Sequence, residues 1–179
     1  VMPLSRLENF LKNIQGNVLY VNPEELDATD DISNTGNSRT RPFKTIQRAL
    51  LESARFSYQL GKDNDKFDKT TIVVAPGIHY IDNRPGYQIN TAGAVTDVNG
   101  SSQAINEFSI GTEFDVQSDQ NVLFQFNSAH GGVIMPRGTS IVGMDLRKTK
   151  VRPKFVPDPA NVNIANSAIF RVTGGCSFR

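Results

Sequence analysis

The chain has no tryptophan, one cysteine, two histidines and almost no net charge, with 19 basic residues against 18 acidic ones. A lone Cys176 excludes an internal disulfide framework and a cysteine-based zinc site. His79 and His130 stand far apart in sequence, so no histidine pair has metal-ligand spacing. The balance of charge gives no overall electrostatic reason to expect nucleic acid or an anionic membrane as partner. No apolar run approaches the roughly 18 residues needed to cross a bilayer, so membrane insertion is not expected. Val1-Met2-Pro3-Leu4-Ser5-Arg6 lacks the charged-then-apolar order of a secretory signal, and we expect synthesis in a reducing cytoplasm.

What is present is 38% hydrophobic residues over 179 positions, 14 glycines, 9 prolines and 11 phenylalanines. That composition suits one β-rich, loop-rich domain with a real core. We divide it into an N-terminal helix over 1–16, for docking or trimerisation, and a β-rich unit over 17–179. In the first segment Ser5 and Glu8 have capping-box spacing, while Leu4, Leu7, Leu11 and Ile14 share a face. Gly16 suits the left-handed position that closes such a helix. Three turns are marginal alone, so this stripe must dock, either on its own domain or on two copies of itself around a threefold axis.

Asn17 to Val21 reads as a strand ended by Pro23. Residues 24 to 41, with Asp27, Asp30, Asp31, Asn34, Gly36 and Asn37, read as a solvated loop. Their spacing lacks the alternate oxygens and distal Glu of a calcium loop. Pro42 opens a second helix running to about Leu60 and closed by Gly61, in the usual Pro-first, Gly-last order. Phe43, Ile46, Ala49, Leu50 and Ala54 form its apolar face, leaving Lys44, Gln47, Arg48, Glu52 and Arg55 on the polar one.

Three strand–turn–strand units follow. They are Thr70–Ala75, turn Pro76-Gly77, Ile78–Ile81; then Gly132–Met135, turn Pro136–Gly138, Ser140–Gly143; then Ala168–Val172, turn Gly174-Gly175, Cys176–Phe178. In the second, Ile141 is expected to face in and Val142 out. Short β units that cannot bury an apolar face alone point to stacked rungs. Asp82–Ser128 and Lys150–Ala165 read as surface excursions, the second carrying Pro153, Pro157 and Pro159. A chain stopping at Ser177-Phe178-Arg179 leaves a rung without a successor, so we expect the polypeptide to continue beyond Arg179.

Arg41-Pro42-Phe43-Lys44-Thr45-Ile46-Gln47-Arg48-Ala49, followed by Thr71-Ile72-Val73-Val74-Ala75-Pro76-Gly77-Ile78-His79-Tyr80, resembles the opening of pectate-lyase-like right-handed parallel β-helix proteins. The longer string from Leu4-Ser5-Arg6 to Arg84-Pro85-Gly86 is similar to virion structural proteins of contractile-tailed phages of marine cyanobacteria. The resemblance implies a mainly β fold, a parallel β-helix whose first rung is covered by the helix after Pro42. It also implies a tail fibre or tailspike component of a virion, assembled in the host cytoplasm and acting in assembly and host attachment. Its implied partners are two further copies in a homotrimer and other tail or baseplate proteins, with host surface polysaccharide as a further candidate. The alternative is a polysaccharide-degrading tailspike, lyase or glycosidase, with its active rungs beyond residue 179.

Glycoside hydrolysis needs two carboxylates about 5 to 9 Å apart. Glu107, Glu113, Asp115, Asp119 and Asp145 are the candidates, and none falls in a pair on repeated strands. His79 is expected to be structural or surface-lying, and Cys176 a small core residue. Ser140 and Ser177 lack a nucleophile-elbow pattern, and the Gly131-Gly132 and Gly174-Gly175 pairs read as turns. We therefore single out no catalytic, cofactor-binding or metal-ligating residue and expect no cofactor.

Overall fold

Thr70-Thr71-Ile72-Val73-Val74 is buried at all five positions, as a strand paired on both edges and covered on both faces requires. It is the centre of a mainly β fold with parallel sheets. The computed structural model describes residues 16–57, 68–83, 88–89, 95–96, 127–128, 131–154 and 168–179. The first strand, β1 (Asn17–Val21), precedes helix α1 (Ile46–Ser57). Then come β2 (Thr70–Val74), β3 (Gly77–Ile81), β4 (Gln88–Ile89), β5 (Val95–Thr96) and β6 (Val133–Met135). β7 (Thr139–Gly143), β8 (Thr149–Pro153), β9 (Phe170–Val172) and β10 (Ser177–Phe178) complete the order. The expected helix over 1–16 lies outside the described residues save Gly16, which has a left-handed φ of 82°.

Among the described strands, consecutive ones are not partners in space, apart from β1–β2, which are joined through α1, and the short antiparallel pair β4–β5. The first sheet is β1-β2-β7-β10, the second β3-β8 and the third β6-β9, each paired in parallel. The chain thus passes third, first and second sheets as β6, β7 and β8, then third and first again as β9 and β10. Ser177 lies on Ser140 at a separation of 37 residues, and the step from Val133 to its partner Phe170 is the same.

This pairing corrects the phase of the repeat. Turn glycines align β2 with β6 and β9, whereas the register sets β2 on β7 and β7 on β10. Pro76-Gly77 is the corner between first and second sheets. Pro136–Gly138 and Gly174-Gly175 are corners between third and first. Glycine marks both kinds of corner equally well, and only the inward-facing side chains tell them apart.

Those side chains form columns. Leu19, Ile72, Ile141 and Phe178 stack in register on the first sheet, beside Val21 on Val74. Val133 and Met135 face them from the third sheet, and Ile81 from the second, in one apolar cluster. Ile141 points inward as expected; Val142, on the opposite face, is also buried. Lys150 to Pro153, expected within an excursion, instead belong to β8, where they pair with Ile78 to Ile81. Pro153 is accommodated because β8 is an edge strand of its two-stranded sheet and the bond to the Ile81 carbonyl comes from the next amide, that of Lys154.

Helix α1 packs against β1, β2, β3, β6 and β7, touching all three parallel sheets. Its expected apolar face holds: Phe43, Ile46, Ala49 and Leu50 are buried. Its start does not. Phe43 is drawn into a parallel bridge with Val21, its amide donating to Tyr20 and its carbonyl accepting from Asn22. The helix therefore begins after Thr45, whose hydroxyl accepts the Arg48 amide at 3.1 Å as an N-cap should. Much of the polar face is buried too, at Gln47, Arg48 and Glu52, while Arg55 is exposed.

Candidate functional site

The densest polar chemistry among the described residues lies where the loop over 24–41 meets α1. Asp30 and Asn34, expected in solvent, are buried. Asp30 Oδ1 accepts the amides of Lys44 at 2.8 Å and Thr45 at 3.2 Å, and Oδ2 accepts the Thr45 hydroxyl at 2.6 Å. Asn34 Nδ2 donates to the carbonyls of Thr29 and Pro42. Gly36, at φ 62°, passes so close to the Phe43 ring that a Cβ there would strike it.

Arg48 ties these parts together. Its Nε donates to the Asp30 carbonyl at 3.2 Å, and Nη2 donates to the carbonyls of Ile32 and Asn34. Nη1 meets Glu52 Oε2 at 3.1 Å, and the guanidinium lies 4.7 Å from the Phe43 ring centroid. Glu52 takes a second cation, the exposed Arg55, at 3.0 Å. This is a lock between loop and helix. Its groups are consumed by one another, as a buried charge network requires.

Burial pushes the Asp30 carboxyl up from 3.8 to about 6, against the opposing pull of the Thr45 hydroxyl and amide, the Lys44 amide and the Arg48 charge. An acid with a raised folded pKa stabilises the fold below its unfolded value and loses that contribution as pH rises through the folded one. The window is therefore pH 3.8 to about 6, and the swing is on the order of 3 kcal/mol. Asp30→Asn keeps an acceptor oxygen and cannot ionise. In urea denaturation the variant should gain a few kcal/mol on the parent between pH 4 and pH 7. An equal difference at both pH values would show that Asp30 titrates normally.

A second network joins α1 to the end of β3. Gln47 Oε1 accepts the Asp82 amide at 2.9 Å, and its Nε2 donates to the Asp82 carbonyl at 3.0 Å. One side-chain amide thus bonds Asp82 as a neighbouring strand would. Asn127 Nδ2 donates to the same carbonyl at 2.7 Å. Further along the helix, Ser53 bonds the Thr139 hydroxyl and Ser57 donates to the Arg137 carbonyl. The polar side of α1 answers backbone and hydroxyl groups that would otherwise be buried unpaired.

Those of the residues weighed from sequence that are described do not converge. Of the five carboxylates, Glu107, Glu113, Asp115 and Asp119 lie outside the described residues, as does His130. Asp145 occupies the corner before β8, where its Oδ1 accepts the amides of Arg147 and Lys148. His79 is buried, and its Nε2 lies 2.8 Å from the Ala75 carbonyl. Burial lowers its pKa, partly offset by that bond, so it is a neutral, structural histidine. Cys176 packs against the core, with Sγ 3.0 Å from the Pro136 carbonyl. Ser140 and Ser177 bond each other at 2.8 Å across two passes of the first sheet.

Two shallow clefts accompany these networks. One, of about 220 Å³, lies between α1 and the third sheet over Leu50, Leu51, Ala54, Val133 and Ile134. The other, of about 210 Å³, is lined by Tyr20, Arg39, Val73 and Met144. Both fall below the roughly 300 Å³ at which small-molecule sites begin. Among the described residues no group of three or more His, Cys, Asp or Glu is placed to hold a metal ion. None of the described helices is long and apolar enough to cross a membrane. Sequence reasoning missed Asp30, Arg48 and Glu52, and no local signal marks them, because their partners come from separate segments. Searches of family models, of curated proteins and of solved structures return no match to this chain.

Proposed function

We propose that the chain is the capped opening of a right-handed parallel β-helix and serves as a structural component of a phage tail, in assembly and host attachment. The observation that carries the β-helix is the repeated order of sheets, with one 37-residue step in both the third and the first sheet. Parallel strands joined by a crossover in one sheet wind right-handedly in about 98% of cases, which supports the hand. The position of α1 supports the cap. It touches strands of all three parallel sheets, and Gln47 bonds Asp82 where the second sheet offers no earlier strand among the described residues.

The virion reading rests on the resemblance carried by the Leu4–Gly86 string and on the absorption of the described polar clusters into structure. Val172 and Phe178, in the last described pass, are 56% and 50% exposed, an apolar surface that another β layer would cover. We assign the homotrimer on the apolar stripe Leu4, Leu7, Leu11 and Ile14, which as a short helix would need a docking surface. Sedimentation of the purified chain at micromolar concentration should give a trimer, and a clean monomer would overturn that assignment. Immunogold electron microscopy of purified particles with antibody to this chain should label the tail. Labelling confined to the head, or none, would remove the virion reading.

A further inference from the structure

Two turns leave the corner between the first and second sheets on neighbouring levels. Val21, Val74 and Gly143 are paired in register, and the Ala75 amide donates to the Val21 carbonyl and the Met144 amide to the Val74 carbonyl, each at 2.9 Å. Asn22, Ala75 and Met144 therefore stand in one stack. From it the chain makes a turn over Pro23 to Asp27 after β1, the tight corner Pro76-Gly77 after β2, and a turn over Leu146 to Lys148 after β7. Because β2 lies between β1 and β7, Pro76-Gly77 is midway between the two wider turns. Those turns leave the sheet two strand spacings apart, about 10 Å. Glu25 of the first and Met144, just before the second, border one cleft.

Each wide turn presents a leucine to solvent. Leu26 and Leu146 are both 94% exposed, and Met144 and Ile78 nearby are 53% and 45% exposed. A single exposed leucine needs no explanation, but a group of apolar side chains at one corner marks an interaction surface. The flanks of the two leucines are of opposite charge. Leu26 lies among Glu24, Glu25 and Asp27, whereas Leu146 is followed by Arg147, Lys148 and the exposed Lys150. Asp145, the one acid of the second turn, is folded back onto the amides of Arg147 and Lys148. Among the described residues, Glu24, Glu25, Asp27, Arg147 and Lys148 form no ion pair.

We infer that this corner binds a second copy of the chain about a two-fold axis passing through Pro76-Gly77. A two-fold contact needs a patch that is complementary to itself. Here the rotation sets the acidic leucine turn of one copy on the basic leucine turn of the other, twice over, with the leucines meeting between opposite charges. A threefold axis along this corner would instead bring like turns together at one level, acid against acid and cation against cation, which is costly. The contact is therefore separate from the threefold association proposed above, uses none of residues 4–14, and holds whether or not the chain belongs to a virion. Two turns per copy make a small interface of the weak, transient class. Covalent trapping reads such a contact where sedimentation at micromolar concentration does not.

The full chain with Cys176→Ser serves as parent, so that introduced thiols have no competitor. Leu26→Cys and Leu146→Cys are made in separate chains, one carrying an affinity tag, and mixed at submillimolar concentration in a glutathione redox buffer. The mixture should give a disulfide-linked dimer with one chain of each kind, at least about tenfold more abundant than any dimer from either variant alone. Two copies of Leu26, or two of Leu146, stand about 10 Å apart across the axis, beyond the roughly 7 Å that a disulfide spans between Cα atoms. Glu24→Lys with Asp27→Lys in the Leu26→Cys chain should lower the yield severalfold, as should added salt. Arg147→Glu with Lys148→Glu in the Leu146→Cys chain should then restore it. All these side chains are exposed, so each variant should melt with the Cys176→Ser parent. Equal yields from the mixture and from one variant alone would put like turns together and overturn the two-fold. No dimer from the mixture, or a charge reversal on one turn that reversal on the other does not rescue, would overturn the assignment of a second copy.

Discussion

Replacing Arg48 with alanine should cost the folded chain about 3 to 5 kcal/mol, the range for breaking a buried charge pair by removing one partner. Arg48 is 5% exposed and Glu52 likewise 5%. Its loss strands Glu52 with only the exposed Arg55, and it leaves the carbonyls of Asp30, Ile32 and Asn34 without these donors. The cation over the Phe43 ring goes with it. Arg48→Lys should recover little, because a compact ammonium cannot reproduce a planar fork reaching three carbonyls and a carboxylate. Arg55→Ala removes a cation from the same Glu52, but that side chain is 69% exposed, so about 0 to 1 kcal/mol is expected. Urea midpoints at pH 7 decide. If Arg48→Ala and Arg55→Ala lie within 1 kcal/mol of each other, the loop–helix lock does not bear on stability.

Leu50→Asp should be larger still. Leu50 is 2% exposed and lies in the central apolar cluster with Leu19, Ile46, Ile72 and Val133. The change removes a buried hydrophobic side chain, worth about 2 to 3 kcal/mol, and inserts a carboxylate without a charged partner among them. Together these approach the whole stability of a typical domain, about 5 to 15 kcal/mol. The variant should show no cooperative thermal transition by circular dichroism near 25 °C, or a strongly lowered one. Leu26→Asp is the control, since Leu26 is 94% exposed and should melt with the parent. A Leu50→Asp variant melting within a degree or two of the parent would mean that α1 does not cover the stack.

The amino-acid order alone determined the mainly β class, the places of β1, β2, β3 and β7, and the buried face of α1 through Ile46, Ala49 and Leu50. Those features are local: apolar periodicity, strand-forming runs, and Pro and Gly at corners. The tertiary structure decided the phase of the repeat, because the corner at Pro76-Gly77 and that at Pro136–Gly138 carry similar residues and differ only in which sheets they join. It also decided that Phe43 pairs with Val21 before the helix starts, delaying α1 to Ile46. The fate of Asp30, Arg48 and Glu52 was likewise beyond local reading. Arg48 reaches carbonyls 14 to 18 residues away, and only the return of the loop over 24–41 brings them to it. The segment Lys150 to Pro153 lies between these cases. Its period of two is written in the sequence, but Pro153 argued for a loop. Pairing with β3 made it a strand, because a proline on an edge strand leaves the ladder intact when the bonding amide is its neighbour's, here that of Lys154.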